Sequence, residues 1–199
     1  MNDYQKKLET LSPAITLYRN FGENFISHYI NRISGDIDSP YVVFLKFTNG
    51  ASILDYCFFG IKNKKLGDKS IYDEILNLWL CDNSLVFRFW AFACIEGNEF
   101  YGYINHKNER GSHYIGFYNA SQPEDIYIIS SSFEIFMNSF LELVSEELQI
   151  NKDAICIDND LFIDPDINKL KVRDPELYQY IKNQDYSFKY DLSKDFFIS

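Results

Sequence analysis

The longest stretch rich in apolar residues runs from Leu85 to Leu148, and its pattern predicts a sheet closed by one amphipathic helix. The run from Leu85 to Ile95 carries Arg88 as its only charge, which predicts a central strand buried on both faces. Polar turns at Glu96-Gly97-Asn98 and Asn108-Glu109-Arg110-Gly111 separate the strands that follow. These further strands are predicted at Phe100 to Asn105, His113 to Asn119 and Ile126 to Ile129.

A helix is predicted to follow the last of these strands. Ser131 is placed to cap its first turn, and Glu134 is placed to complete a capping box. The apolar residues after this point recur with the period of an α-helix, so one face of the helix is predicted to lie on the sheet. That face consists of Phe133, Phe136, Met137, Phe140, Leu141, Val144 and Leu148.

The first 80 residues alternate between helical and extended patterns. A helix is predicted over residues 3–20, interrupted or reset by Pro13. A second helix is predicted to begin at Ser39-Pro40 and to end at the Asn49-Gly50 C-cap. A strand is then predicted over Ile53 to Ile61 and a helix over Ile71 to Leu80.

The last 50 residues contain too many large apolar side chains for a disordered tail. Asp174-Pro175 is typical of a helix start, and Tyr186 to Tyr190 alternates like a strand. We therefore predict an α+β fold, a mixed but mainly antiparallel sheet packed against helices. Residues 1–150 form the domain in this prediction, and residues 151–199 form a C-terminal extension docked on it.

Composition is consistent with one domain of 199 residues, since hydrophobic residues make up 46% of the chain. No apolar window is long enough to suggest a membrane span, and the charged N-terminus does not resemble a signal peptide. These features predict a cytoplasmic protein without a membrane partner. The cysteines form no CxxC pair and are predicted to be reduced thiols; they are Cys57, Cys81, Cys94 and Cys156.

The net charge of −10 is concentrated in the middle of the chain, where residues 69–149 hold 12 acidic and 4 basic residues. A negative surface repels phosphate backbones, so nucleic acid is not an expected partner, whereas a basic protein would be attracted. The alternative interpretation is that the acidic residues serve solubility alone.

Catalytic and metal-binding patterns are incomplete. His106 and His113 flank a predicted turn with Glu109 and suggest a metal or acid/base site, but a third well-spaced ligand is lacking. Cys94 is interpreted as a core residue. The acidic cluster that begins at Asp158 departs from the calcium-loop pattern, and no glycine-rich nucleotide loop is present. We expect no cofactor, no metal and no enzymatic activity, with a hydrolase using His106, His113 or Cys94 as a less favoured alternative.

The predicted hairpin carries alternating tyrosines, and two interpretations remain open for them. They form either a second layer of the core or a partly exposed patch that grips a partner. The set consists of Tyr101, Tyr103, Tyr114 and Tyr118.

The order of several motifs resembles the SUKH superfamily, which includes fungal cell-wall-synthesis regulators and bacterial toxin-immunity proteins. The resemblance covers residues 39–149. Departures are the Gly97-Asn98-Glu99 turn, Tyr118-Asn119 at a strand end, and the C-terminal extension. The matching motifs are Ser39-Pro40-Tyr41, Phe44-Leu45, Thr48-Asn49-Gly50, Phe58-Phe59-Gly60, the run from Phe92 to Tyr103, Tyr114 to Tyr118, and Ser131 to Glu134 with Phe136.

The resemblance implies a non-enzymatic domain that binds and neutralises a cognate bacterial toxin, and many such toxins are basic nucleases. The alternative is a regulatory scaffold that binds signalling or cell-wall proteins. Nothing in the sequence specifies an oligomeric state. The expected partner contacts are acidic residues at predicted turns with two aromatic anchors: Glu96, Glu99, Glu109, Glu124 and Asp125, with Tyr101 and Tyr103.

Overall fold

Eight strands form one sheet in which each strand pairs with its neighbours in sequence. The structure is a computed structural model that describes residues 2–11, 14–19, 26, 39–61, 70–123, 125–157, 166–185 and 187–190. All seven strand pairs of the sheet are antiparallel. The strands are β1 Ile15–Leu17, β2 Ala51–Ile53, β3 Tyr56–Phe58, β4 Phe89–Ile95, β5 Glu99–Lys107, β6 His113–Asn119, β7 Ile126–Ser130 and β8 Lys189–Tyr190.

Six α-helices accompany this sheet within the described residues, and a short 3₁₀ helix spans Asn83–Leu85. The predicted α+β class and mainly antiparallel sheet are therefore confirmed. An isolated parallel bridge joins Gly60 to Ser70 just before the third helix. The helices are α1 Asp3–Thr10, α2 Ser39–Phe47, α3 Ile71–Cys81, α4 Phe133–Ile150, α5 Ile167–Arg173 and α6 Pro175–Lys182.

Helix α4 packs its predicted apolar face against the sheet. Every residue of that face is buried except Leu148, which is half-buried at the C-terminal end. The N-cap is Ser132, whose Oγ accepts a hydrogen bond from the Ile135 backbone N–H at 3.3 Å, so the predicted cap at Ser131 was wrong by one residue. Ser131 is fully buried, and its backbone N–H donates instead to Asp174.

The contact between α4 and the sheet is aromatic. Phe133 packs edge-on against Phe92 of β4, with ring centroids 5.2 Å apart, and against Tyr41 of α2 at 5.1 Å. The Tyr41 hydroxyl donates to the carbonyl oxygen of Phe59 and lies 3.1 Å from that of Phe92. Because a buried hydroxyl must find a partner, these contacts position α2 against the strands beneath it.

Three predicted boundaries were wrong. The helix predicted over residues 3–20 ends at Thr10, and residues 15–17 form β1, since Pro13 cannot continue a helix. The strand predicted over Ile53 to Ile61 is a hairpin of β2 and β3, reversed at Leu54, whose φ of 53° lies in the left-handed region. The strand predicted from Leu85 begins only at Phe89, because residues 83–88 form the 3₁₀ helix and a turn.

Two glycines leave space for larger side chains on the face of the sheet opposite α4. Gly102 of β5 and Gly116 of β6 lie directly opposite each other. A Cβ atom on Gly102 would lie 2.7 Å from Cζ of Phe89, and one on Gly116 would lie 2.9 Å from a methyl carbon of Ile104. The missing side chain of Gly102 therefore leaves space for Phe89, and that of Gly116 leaves space for Ile104.

The C-terminal segment is held at the junction of β7 and α4. Asp174 is 1% exposed, and its carboxylate accepts hydrogen bonds from the backbone N–H of Ser131 at 2.7 Å and from that of Leu177 at 3.0 Å. The Ser130 hydroxyl donates to the same carboxylate at 3.2 Å. Strand β8 adds to the edge of β7, and Leu170, Leu177 and Ile181 are fully buried.

Asp174→Ala is expected to lower the free energy of unfolding by about 3 kcal/mol, because it removes a helix cap and leaves the buried Ser131 N–H without its acceptor. Asp166→Ala is the matched control, since Asp166 caps α5 from an exposed position by accepting from Asn168 N–H at 2.8 Å. Its expected loss is about 1 kcal/mol. Urea unfolding of both variants measures the difference, and equal losses would contradict the role given to Asp174.

Candidate partner-binding surface

The acidic residues predicted from the sequence lie at both ends of the sheet. Turns of an antiparallel meander alternate between the two ends, so the β2–β3, β4–β5 and β6–β7 turns share one end. That end carries Asp55, Glu96, Glu99 and Asp125, and it is called the acidic end below. Glu109 lies in the β5–β6 turn at the opposite end, and Glu124 lies outside the described residues.

The residues of the acidic end differ in their surroundings. Glu96 is exposed in the β4–β5 turn with a φ of 49°. Glu99 is half-buried and accepts a hydrogen bond from Nδ2 of Asn119 at 3.3 Å. Asp125 forms an ion pair with Lys189 of β8, so the C-terminal segment neutralises one charge that the sequence analysis assigned to a partner.

Asp55 adds a carboxylate that the sequence analysis missed. Burial raises the pKa of Asp55, a hydrogen bond from its own backbone opposes the rise, and the negative charge of Glu96 adds to it. Its Oδ1 atom is buried and has no hydrogen-bond partner among the residues that the structure describes. A nearby cation would stabilise the ionised carboxylate, so the acidic end has a local electrostatic preference for positive groups.

Tyr101 and Tyr103 are not partner anchors, and this prediction is corrected. They are 0% and 1% exposed because α2 and α4 lie over their face of the sheet. The ring of Tyr101 lies 5.5 Å from Phe136, and that of Tyr103 lies 5.2 Å from Phe92. Tyr114 and Tyr118 are also buried, so the interpretation of the tyrosines as part of the core is the correct one.

Three of the exposed apolar side chains lie on α3 or in the turn that follows it. Leu76 and Leu80, one helical turn apart, are 36% and 80% exposed, and Phe87 is 48% exposed. The ring of Phe87 lies 5.1 Å from that of Trp79, which is one helical turn after Leu76. Leu76, Leu80 and Phe87 are called the α3 patch below.

The backbone at Phe87 has an unfavourable conformation. Its φ of 57° is left-handed, which is rare for a bulky side chain and costs about 1–2 kcal/mol. The turn that imposes this conformation is closed by a hydrogen bond from Arg88 N–H to the Leu85 carbonyl at 3.0 Å. Strained backbone of this kind is often found at functional sites, which makes the exposed ring of Phe87 a candidate contact.

Within residues 70–87, which carry the α3 patch, every charged side chain is acidic, and Arg88, which follows this segment, is buried. Residues 70–87 contain Asp73, Glu74 and Asp82 and no lysine or arginine. Asp82 accepts hydrogen bonds from the Ser84 hydroxyl at 2.6 Å and from the Tyr118 hydroxyl at 2.7 Å. Burial alone would raise the pKa of Asp82, but the bonds from Ser84 and Tyr118 outweigh it and lower the pKa, which keeps this carboxylate ionised.

His106 and His113, the two histidines that the structure describes, do not converge on one site. His106 stacks on Tyr114 with ring centroids 5.4 Å apart and also contacts Tyr180 of α6. His113 is 3% exposed, and its Nδ1 lies 2.8 Å from the Ile104 carbonyl. The two rings therefore have different neighbours, and within the described ranges no group of three or more His, Cys, Asp or Glu residues is arranged to hold a metal ion.

An open cavity of about 720 Å³ lies between α4 and α5. Its lining includes Glu142, Lys169 and Arg173 beside Ile135 and Val172, so charges of both signs face it. Because its lining carries both acidic and basic side chains, the cavity is not included in the candidate surface.

Neither a scan against protein-family models nor a search of curated proteins finds a match to this chain. Across the part of the chain that the structure describes, the helices lack the combination of length and apolar character that crossing a bilayer requires.

Asp55→Asn is expected to stabilise the fold near neutral pH. The folded-state pKa of Asp55 is raised above its ordinary value, so the carboxylate costs stability at pH values above the folded pKa. That cost disappears as the pH falls through the folded pKa, and the variant should then lose its advantage. Urea unfolding at about pH 7 and about pH 3 measures the change.

Asp153→Asn, at an exposed turn, is the control and should change stability by less than about 0.5 kcal/mol. A variant at Asp55 that is less stable than the parent at neutral pH would show that its carboxylate contributes favourable contacts.

Proposed function

We propose that this protein is a non-enzymatic immunity protein that neutralises a cognate bacterial toxin by direct binding. The observation that supports this proposal is the α3 patch, where exposed apolar side chains have only negative charges beside them in residues 70–87. A surface of this kind suits a partner that carries apolar and basic side chains together. A basic nuclease is one class of toxin with that surface.

The two kinds of side chain have separate roles in this proposal. Carboxylates steer a basic partner toward the surface and raise the rate of association, while buried apolar anchors slow dissociation. Phe87 and Leu80 are proposed as the anchors in place of Tyr101 and Tyr103. Glu96 and Glu99 of the acidic end contribute to steering.

The resemblance of residues 39–149 to the SUKH superfamily supports the same proposal, since that superfamily includes many toxin-immunity proteins. A cytoplasmic location follows as part of the proposal, because an immunity protein must meet the toxin where it acts. The acidic middle of the chain, with 12 acidic and 4 basic residues between 69 and 149, fits a basic partner.

Co-expression with toxins encoded beside the gene tests the proposal directly. Rescue of growth together with co-purification at low salt is the expected result. Rescue without binding would contradict neutralisation by direct contact. Binding to a signalling or cell-wall protein, with no toxin gene nearby and no rescue, would favour the regulatory scaffold instead.

Phe87→Gly is expected to weaken toxin binding at least tenfold while the fold persists. Glycine adopts a φ of 57° without strain, so relief of about 1 kcal/mol offsets part of the lost contact with Trp79. Leu80→Ser should also weaken binding, because it removes an apolar anchor. Titration calorimetry measures affinity, and urea unfolding checks that the variants are folded.

Ile150→Ser is the matched control, since Ile150 is 83% exposed at the far end of α4 and away from α3. It should leave the affinity unchanged. Raising the salt concentration should slow association of the parent protein, because exposed charges are screened over about 10 Å at 0.1 M ionic strength. If Ile150→Ser weakens binding as much as Phe87→Gly does, the α3 patch is not the binding surface.

A further inference from the structure

Strands β3 and β4 place two cysteines directly opposite each other. Cys57 of β3 pairs with Cys94 of β4 in the antiparallel register, between the pairs Tyr56–Ile95 and Phe58–Ala93. Both side chains are present as thiols. Directly opposed residues project to the same face of a sheet, so the two sulfur atoms lie on one side of the strands.

The spacing of such a pair is compatible with a disulfide bond. Opposed Cα atoms in antiparallel strands lie about 4.5–5.5 Å apart, and disulfides span Cα distances of about 4.4–6.8 Å. The Phe59 N–H donates to the Phe92 carbonyl at 2.7 Å, so Cys57 and Cys94, two positions along the same ladder, form a hydrogen-bonded pair. The Cβ atoms of such a pair lie about 5.5 Å apart, roughly 1–2 Å more than in a disulfide, so bond formation requires a shift of the short strand β3. The register therefore makes the two thiols direct neighbours across the strands, and a shift of β3 toward β4 would bring the sulfur atoms together.

The two thiols differ in their access to solvent. Cys57 is half-buried on the short strand β3, whereas Cys94 is 2% exposed within β4. A small reagent can therefore reach Cys57 first, and Cys94 is placed to react only with the sulfur of Cys57. The remaining cysteines, Cys81 and Cys156, are exposed on other segments of the chain.

We propose that Cys57 and Cys94 form a site of reversible thiol oxidation, with a low-molecular-weight disulfide such as oxidised glutathione as the oxidant. The thiolate of Cys57 attacks one sulfur of oxidised glutathione, forms a mixed disulfide and releases one glutathione thiolate. The thiolate of Cys94 then attacks Sγ of Cys57, forms the protein disulfide and expels the second glutathione thiolate. The two leaving thiolates take up the two protons that the cysteines lose, so two protein thiols are oxidised and one glutathione disulfide is reduced.

Oxidation would link the β1–β3 strands covalently to the central strand β4. The closed loop would contain α3 and the α3 patch, because these residues lie between positions 57 and 94. Closing a loop of this length restricts the unfolded chain, so the thermal midpoint should rise by about 5–10 °C on oxidation. The inference is independent of the proposed toxin binding, because it rests on the strand register alone.

The test uses the full chain with Cys81→Ser and Cys156→Ser, incubated with oxidised glutathione in native buffer. The expected product has lost two hydrogen atoms by intact mass, and a non-reducing peptide map joins Cys57 to Cys94. Its thermal midpoint should rise and should return to the starting value after reduction. A stable glutathione adduct on Cys57, or no reaction at all, would overturn the proposal.

A third substitution, Cys57→Ser, serves as the control, since it changes a half-buried position and leaves the core residue Cys94 in place. This variant should gain neither a disulfide nor a glutathione group, because the remaining thiol is shielded. If its Cys94 reacts as fast as the thiols of the parent, the assigned order of attack is wrong and the proposal fails.

Discussion

The aromatic contact between α4 and the sheet is the interaction on which the rest of the structure depends. Phe133, Phe136 and Phe140 lie on one stripe of the helix and meet rings from β3, β4 and β5. Aromatic side chains bury large areas and pack in edge-on geometries, so this layer contributes much of the core. It also decides which side chains remain available for binding, because it covers both Tyr101 and Tyr103.

The second constraint is the buried carboxylate of Asp174. It connects the start of α6 to the junction where β7 passes into α4, through backbone and hydroxyl donors. A charge buried in this way is stable only when several hydrogen bonds satisfy it. The C-terminal segment is therefore attached at the junction where α4 begins. Strand β8 of this segment covers an otherwise open edge of β7.

The surface that remains after this packing combines two features. Leu80 and Phe87 project from α3 and the turn after it, and Asp82 lies between them in sequence with its carboxylate held by Ser84 and Tyr118. The acidic end of the sheet carries further carboxylates, of which Asp125 is paired within the chain. Apolar side chains beside fixed negative charge are the basis on which a basic protein is proposed as the partner.

Periodic spacing and capping residues were enough to predict several local elements. The apolar stripe of α4, the strands β5 to β7 and the Asp174-Pro175 start of α6 follow from spacing and capping chemistry. The turns at Leu54 and Phe87 were not predicted. The surrounding fold imposes left-handed backbone at these two residues, and no local sequence pattern indicates it. The one-residue error at Ser131 has the same origin, since its N–H is taken by Asp174, 43 positions away.

Which of the candidate binding residues are exposed depends on the packing of elements that are distant in sequence. Tyr101 and Leu80 are both large apolar positions in the sequence, yet one is fully buried and the other is 80% exposed. The difference arises because α4 lies over Tyr101, while nothing in the described part of the chain covers Leu80. The pairing of Asp125 with Lys189 and the opposition of Cys57 to Cys94 depend likewise on strand register, which composition and periodicity do not specify.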